Sequence, residues 1–306
     1  MKNSSILFQI LFCFIGYFGI GQSIDLFTLS QSYAPKADFT WINGEKQKAI
    51  EHNTLVNLKL PTILSDKLIW YTNITYSINE LKANEIKSKS NAVYRLQGLI
   101  VQSGLVIKLN EKTRLQALLA PRILGENLNF NNNTLQFGAA TMIERIHSEK
   151  LTMRYGLLYN EDKFGPMFVP LIYTDWKFGN GFFLKGLWPI YGKLGKQINP
   201  NLQMGISEFA LITSYSLNKQ APQTYMQRSS IDLAYFIRQR IYNNWHIEPR
   251  IGISLSRGYE QFNNDDKLAA KISMVDIESN PRSLLNGELS SAPFINFRLI
   301  YVLPTD

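Results

Sequence analysis

The sequence has few residues that could form covalent cross-links or bind metals, with one cysteine and three histidines among 306 residues. The cysteine, Cys13, lies within the first twenty residues. The rest of the chain therefore has no disulfide, no cysteine metal ligand and no cysteine nucleophile. We expect no metal site and no cofactor, and we expect stability to come from hydrogen bonding and burial.

Long apolar runs are also missing, because no stretch after Ile20 approaches the 18 apolar residues of a membrane-spanning helix. Charge runs are absent too: the formal net charge of +8 is spread along the chain, which argues against a nucleic-acid-binding tail. The sequence shows no glycine-rich phosphate loop. An evenly basic surface would suit anionic lipopolysaccharide.

The first residues have the pattern of a secretory signal peptide. A short basic start is followed by the apolar run Ile6–Ile20, and Gly19 and Gly21 supply the small residues expected before a cleavage site. We therefore predict a signal peptide at residues 1–21 and one mature domain at residues 22–306. An N-terminal anchor helix is the alternative.

The most informative stretch is Leu68–Asn79, in which apolar and polar residues alternate for twelve residues. One face of such a strand carries Leu, Trp, Ile and Tyr, and the other is mostly Asn, Thr and Ser. An ordinary strand needs about 5–6 residues, whereas a tilted strand that crosses a bilayer needs about 9–11. The pattern predicts a transmembrane β-strand.

Similar alternation recurs along the chain, with charges confined to one face in Arg114–Ile123, Leu151–Asn160 and Trp245–Leu255. Short polar turns alternate with longer hydrophilic stretches, as expected for periplasmic turns and outer loops. The predicted loops include Pro35–Lys48, Glu80–Asn91 and Lys219–Gln227. We predict an all-β fold, a closed antiparallel up-and-down transmembrane β-barrel of 12–14 strands. The count is 14 if residues 181–188 and 190–197 form two short strands that fold at Pro189.

Several details depart from simple alternation. The phase changes near Gly98 and near Glu208, which predicts a β-bulge at each. Asp265–Ile277 is the best helical candidate, and we predict a short loop helix there. Aromatic residues near strand ends predict interfacial girdles; they are Tyr71, Tyr94, Tyr155, Tyr159, Tyr173, Trp176, Trp188, Tyr242 and Trp245.

The arrangement resembles a family of outer-membrane β-barrel proteins of Gram-negative bacteria that is catalogued as a domain of unknown function. The resemblance covers most of the chain after the signal peptide. It rests on the strand Leu26–Pro35, on the hairpin from Leu58-Lys59-Leu60-Pro61 into Ser65-Asp66-Lys67, and on Val169–Tyr173 ahead of a glycine-rich turn. The resemblance implies the location and the architecture and adds no reaction.

If the polar faces point inward, the lumen is rich in arginine. We predict a lumen charge network, whose candidate binding residues are Arg114, Arg122, Arg154, Arg238, Arg250, Arg298, Glu144 and Glu248; Arg95 and Arg240 have the same pattern, and further acids are Glu51, Asp175 and Asp232. Bidentate pairing would plug a narrow barrel. In a wetter barrel the unpaired excess would favour anions.

Catalytic candidates are weak. His147 and Ser148 are adjacent in a predicted periplasmic turn, and His246 lies two residues from Glu248, which would equally suit an ion pair. Asn263–Asp266 lacks the spacing of a calcium loop. We therefore expect a non-enzymatic protein with no catalytic or metal residues.

The sequence thus predicts an outer-membrane barrel that is structural or a narrow pore for small solutes, including anionic ones. Two alternatives remain: a barrel enzyme that acts on outer-membrane lipid, and a soluble periplasmic β-sandwich binding protein. The expected partners are outer-membrane lipid, lipopolysaccharide and the barrel-assembly machinery, with no nucleic acid.

Overall fold

The structure is a computed structural model that describes residues 24–84, 92–217, 223–279 and 282–303. The predicted signal peptide and Cys13 lie outside these residues. The strands, in chain order, are β1 Ile24–Trp41, β2 Lys46–Ser65, β3 Leu68–Asn84, β4 Ala92–Asn110, β5 Thr113–Leu119, β6 Arg122–Gly125, β7 Leu135–Gln136, β8 Gly138–Ser148, β9 Leu151–Asp162, β10 Gly165–Phe178, β11 Phe182–Trp188, β12 Tyr191–Asn199, β13 Leu202–Leu217, β14 Thr224–Tyr242, β15 Trp245–Asn263, β16 Lys271–Ile272, β17 Val275–Asp276, β18 Gly287–Leu289 and β19 Ala292–Leu303.

Fourteen of these strands form one closed antiparallel ring. Each pairs with its neighbour in the order β1, β2, β3, β4, β5, β8, β9, β10, β11, β12, β13, β14, β15 and β19, and β19 pairs back onto β1. The predicted short pair at Pro189 joins the ring as β11 and β12. The barrel prediction is confirmed at its upper count, and the β-sandwich alternative is wrong because one sheet closes on itself.

Short turns and both ends of the described chain lie at one end of the barrel, which we call the turn end. The turns join β2 to β3, β4 to β5, β8 to β9, β10 to β11, β12 to β13 and β14 to β15. The opposite, loop end carries the longer connections. Several predicted loops are shorter than expected because β1 reaches Trp41, β2 begins at Lys46 and β3 reaches Asn84. In the described residues no helix is long and apolar enough to cross a membrane.

The outer surface of the ring is apolar. Large side chains on it are well exposed, and they include Trp70, Ile143, Leu157, Ile172, Leu194, Ile206, Leu233, Ile251, Ile295 and Phe297. The register pairs them across strands, as in Ile251 with Ile295. On β3 the outward apolar series runs from Leu68 to Ile78, the length that a tilted strand needs to cross a bilayer. This is the exterior of a membrane-spanning barrel.

Aromatic rings form contacts at the turn end. Trp245 lies 6.2 Å from Phe27 and 5.1 Å from Tyr301, and Trp176 lies 4.8 Å from Phe178. These rings form the girdle expected at a membrane interface. Three other predicted girdle residues are inside instead: Tyr71, Tyr94 and Tyr173 share the inward phase of their strands.

The barrel is filled at the loop end by its own strands. Residues 213–217 of β13 and 224–228 of β14 are all buried. Tyr225 and Met226 are consecutive and point to opposite faces, yet both are 0% exposed and belong to different apolar clusters. These strand ends are therefore buried on both faces, and they lie inside the barrel.

The inserted strand ends contact opposite walls of the ring. On one side Asn79 of β3 donates to the Tyr215 hydroxyl at 3.2 Å, and β6 pairs with β13 at Gly125 and Ser216. We call the apolar cluster on this side the apolar plug; its buried residues are Ala37, Phe39, Ala49, Leu81, Leu96, Leu124, Tyr215, Leu217, Met226, Tyr259, Leu289 and Ala292. On the other side Tyr225 and Phe262 pack with residues of β10 and with Leu268.

Two predicted bulges are wrong for a common reason. The β3–β4 register runs without a shift past Gly98, and the β13–β14 register runs without a shift past Glu208. The hydrophobic phase changes because the inward face becomes apolar at the loop end, where Leu96 and Tyr215 join the apolar plug. In the sequence, a change in what each face of a strand contacts therefore gives the same hydrophobic pattern as a one-residue slip of that strand.

The predicted loop helix at Asp265–Ile277 is also wrong. The segment forms the small hairpin β16–β17, and β16 adds in parallel to β10 at Met167 and Phe168. Because β11 has only seven residues, the edge of β10 near the loop end has no β11 partner. The hairpin satisfies part of that edge, and the buried Lys271 forms an ion pair with Asp276.

We expect Met167→Ala to lower the free energy of unfolding by about 2–5 kcal/mol, because Met167 is 2% exposed within an apolar cluster and truncation leaves a cavity. Phe168→Leu is the matched control, since Phe168 is 37% exposed on the outward face. Denaturant unfolding in detergent micelles measures both. Equal losses from the two variants would contradict the assignment of faces.

Candidate functional site: the charged lumen

The inward faces of the strands bring charged residues into the lumen in separate clusters. At the turn end, the Glu248 carboxylate is 0% exposed and is shared by three cations. Lys193 Nζ and Arg238 Nε each lie 2.6 Å from Glu248 Oε2, and Arg250 pairs with Oε1. Arg238 also donates two bonds to Asp25, at 3.0 and 2.9 Å. This bidentate geometry fixes the guanidinium plane.

A second cluster surrounds Glu144 on the far side of the ring. Arg154 Nε lies 2.6 Å from one carboxylate oxygen, and Arg114 lies 3.2 Å from the other. The Arg154 guanidinium also lies 4.5 Å from the centre of the Tyr173 ring, a favourable cation–π contact. The register explains this cluster, because Glu144 is the cross-strand partner of both arginines.

A third cluster lies closer to the loop end and spans the lumen. Glu51 of β2 accepts bonds from Arg228 and Arg257, each at 3.0 Å, and from the Tyr259 hydroxyl at 2.7 Å. The donors come from β14 and β15, which are separated from β2 by β19 and β1. The cluster therefore ties two parts of the wall together through the interior.

Little space remains beside Glu51. A cavity of about 10 Å³ lies there, with Asn53, Ser230 and Asp232 in its lining. That volume holds about one water molecule. Arg257 Nε and Nη2 and the Ser230 hydroxyl are buried there without a hydrogen-bond partner among the described residues. The side chains around Glu51 are thus closely packed.

Arg122 and Arg298, two of the predicted lumen residues, lie outside the shared-carboxylate clusters. Arg122 lies 3.4 Å from Asp162 and donates to the Glu161 carbonyl oxygen at 3.2 Å near the loop end. Arg298 faces the lumen opposite Glu248 in the β15–β19 register and donates to Asn296 at 3.2 Å.

The lumen is more open toward the turn end. Tyr191 points inward and is 39% exposed, and the side chain of Lys185, 3.2 Å from Asp175, is 32% exposed. Neutral polar groups line the opposite wall, where Asn73 bonds both Asn57 and Gln102. This half of the lumen is a polar vestibule, and the apolar plug closes the other half.

The structure places all eight candidate residues on inward faces, but it also shows what the sequence reading missed. Arg95 lies on the outward face and pairs with Glu80 at 3.6 Å, so its assignment to the lumen is wrong. Arg257 was missed because a register shift between Ile231 and Asp232 of β14 reverses the phase of β15. Arg228 was missed because its strand extends into a predicted loop.

The clusters carry an excess of positive charge. Seven cations share four carboxylates; the cations are Arg114, Arg154, Lys193, Arg228, Arg238, Arg250 and Arg257, and the carboxylates are Asp25, Glu51, Glu144 and Glu248. Each glutamate bridges at least two cations. Such bridging offsets part of the cost of removing the charges from water.

Two of the described histidines contact groups outside these clusters. His52 contacts the Tyr33 ring at 4.9 Å on the outward face, and His246 Nδ1 lies 3.1 Å from the Asn244 carbonyl oxygen. In the part of the chain that the structure describes, no group of three or more His, Cys, Asp or Glu residues could hold a metal ion.

We expect Glu248→Gln to destabilise the barrel by about 3–5 kcal/mol, because Lys193, Arg238 and Arg250 then lose their shared carboxylate in a buried site. Adding Arg250→Met should recover part of the loss, since one unpaired charge is removed. Denaturant unfolding measures both, with the exposed Glu161→Gln as control. An unchanged unfolding midpoint for Glu248→Gln would show that the Glu248 cluster does not stabilise the barrel.

Comparison with solved structures finds barrels of outer-membrane proteins. An outer membrane channel from Pseudomonas putida F1 is 12% identical, with 94% of this chain and 97% of that chain covered and a TM-score of 0.47. The toluene transporter TodX from Pseudomonas putida is 8% identical, with coverage of 91% and 89% and a TM-score of 0.37. LpxR from Salmonella typhimurium is 9% identical, with coverage of 90% and 99% and a TM-score of 0.31.

No curated protein matches the sequence. The family model described as a domain of unknown function, DUF6268, matches residues 21–273, which is most of the chain. The chain therefore belongs to the DUF6268 family.

Proposed function

We propose that this protein is an outer-membrane barrel that acts as a narrow, gated pore for small anionic solutes. The observation that carries the proposal is the shared-carboxylate pattern, in which seven lumen cations share four carboxylates. Rings of fixed positive charge inside a low-dielectric wall attract anions and repel cations.

The outer surface supports this location. An apolar band with an aromatic girdle at the turn end is suited to a bilayer, and ring closure pairs the first strand with the last. Short turns are typical of the periplasmic end, so the turn end would face the periplasm and the loop end the cell exterior. Outer-membrane lipid, lipopolysaccharide and the assembly machinery are the partners of this proposal.

The vestibule and the apolar plug give the pore its two parts. Solutes would enter the polar vestibule from the periplasm and meet cations such as Arg154 and Lys185. The cavity of about 10 Å³ beside Glu51 is too small for a solute to pass. Conduction therefore requires the inserted ends of β13 and β14 to move, and this structure corresponds to the closed state.

Reversal potentials in planar bilayers test the selectivity. Under a KCl gradient we expect openings that favour chloride over potassium. Neutralising Arg238 and Arg250 to Gln should reduce that preference several-fold, because the excess positive charge near Glu248 is lost. Arg95→Gln is the matched control, since Arg95 faces outward and its loss should leave selectivity unchanged.

Cation-selective openings would overturn the anion assignment, and silence combined with turnover of outer-membrane lipid would favour the enzyme alternative.

Closure by the apolar plug is tested separately. We expect Tyr215→Ala to raise the frequency of channel openings about tenfold or more, because Tyr215 is 2% exposed between β13 and the opposite wall. Tyr235→Ala is the control, because Tyr235 is 43% exposed on the outward face of β14. Single-channel recordings at fixed voltage provide the comparison, and equal opening frequencies would place the gate elsewhere.

A further inference from the structure

The outward surface of β1–β4 changes from apolar to polar at one level of the barrel. Below that level the register aligns Leu29, Val56, Tyr76 and Leu99 across the four strands. Four residues farther along each strand toward the loop end, the aligned residues are Tyr33, His52, Glu80 and Arg95. In a bilayer this change marks the upper boundary of the hydrocarbon, where lipid headgroups lie.

Cations gather immediately above this boundary. The side chains of Lys82 and Arg95 are 49% and 54% exposed, and both approach Glu80, at 4.0 and 3.6 Å. Lys48, on the neighbouring strand, is paired with Asp38 and is 57% exposed. A lysine carries three donors and an arginine five, so one glutamate leaves most donors of Lys82 and Arg95 available to another anion.

A recess of about 230 Å³ opens beside Glu80 and Lys82, and Arg95 lies next to it through its ion pair with Glu80. Its outward lining includes Gln31, His52, Thr54, Glu80 and Lys82. The recess therefore has amide, hydroxyl, imidazole, carboxylate and ammonium groups around it. His52 rests on the Tyr33 ring at 4.9 Å, which limits its movement.

The wall around β9 and β10 differs from this face. There Tyr159 and Phe168 are in ring contact at 5.3 Å on the outward surface, and the outward residue nearest the end of β9 is Glu161. That wall offers apolar groups and a negative charge at its loop end. The recess, together with the neighbouring Arg95 of β4, thus lies on one side of the barrel.

We propose that the recess on β1–β4 binds the phosphate-bearing headgroup of an outer-leaflet glycolipid, with Lys82 and Arg95 as its principal contacts. Charge complementarity favours a phosphate, because charge-assisted bonds from lysine and arginine are strong. The position at the hydrocarbon boundary favours a lipid over a free ion, since acyl chains would lie along the apolar surface below. The inference rests on the membrane location in the proposed function and is independent of conduction.

Thermal stability in a phosphate-free detergent tests the site. Diphosphoryl lipid A should raise by several degrees the temperature at which the purified full chain loses its compact, heat-resistant form on gels. Dephosphorylated lipid A and inorganic phosphate at equal concentration should produce less than half of that shift. The double variant Lys82→Ala/Arg95→Ala should lose most of the shift.

The matched control removes one lysine and one arginine from the turn end, as Arg145→Ala/Lys150→Ala, where both residues are exposed. It should keep the lipid A shift. A full shift in the Lys82→Ala/Arg95→Ala variant, an equal shift with dephosphorylated lipid A, or no shift in the unaltered chain would each overturn the site. If the protein is not a pore, the conductance measurements fail while the lipid A shift remains. A heat-resistant form without added lipid shows, for each variant, that the barrel is intact.

Discussion

The structure depends on closing the ring of strands, because unpaired backbone groups are costly in hydrocarbon. β19 closes the ring onto β1, so the first and last strands have no free edge. The one place where the wall is short is at β11 and β12, with seven and nine residues. There β16 adds to the edge of β10. Closure thus determines where the longest loop folds.

Closure also creates an interior that must be filled or hydrated. Near the turn end it is polar, and charged side chains pair across neighbouring strands; near the loop end it is apolar and is filled by the chain itself. The Glu51 cluster lies between these regions and joins β2 to β14 and β15. Because each shared carboxylate satisfies several donors, loss of one acid affects several cations. The network is therefore more sensitive to acid removal than to loss of a single arginine.

The sequence predicted the regular part of the barrel well. The alternation in Leu68–Asn79 predicted which side chains face outward and which face inward. Pro189 marked the short hairpin that completes the fourteen-stranded ring. The inserted strand ends were hidden, because a period of two reports which side a residue faces and not what covers that side. Leu96 therefore suggested a bulge where there is only a change of neighbours. Arg257 was hidden for the opposite reason, since a real register shift reversed its face.

The unequal strand lengths have a consequence for the surrounding lipid. The outward apolar series of β3 runs from Leu68 to Ile78, whereas β11 has seven residues in all, so the apolar height differs from one side of the ring to the other. A bilayer adapts to a short apolar wall by thinning beside it, or the whole cylinder leans, at a modest free-energy cost for each ångström of mismatch. Lipids beside β11 and β12 would thus be more disordered than those beside β1–β4, and the barrel would have a preferred tilt direction set by its own circumference.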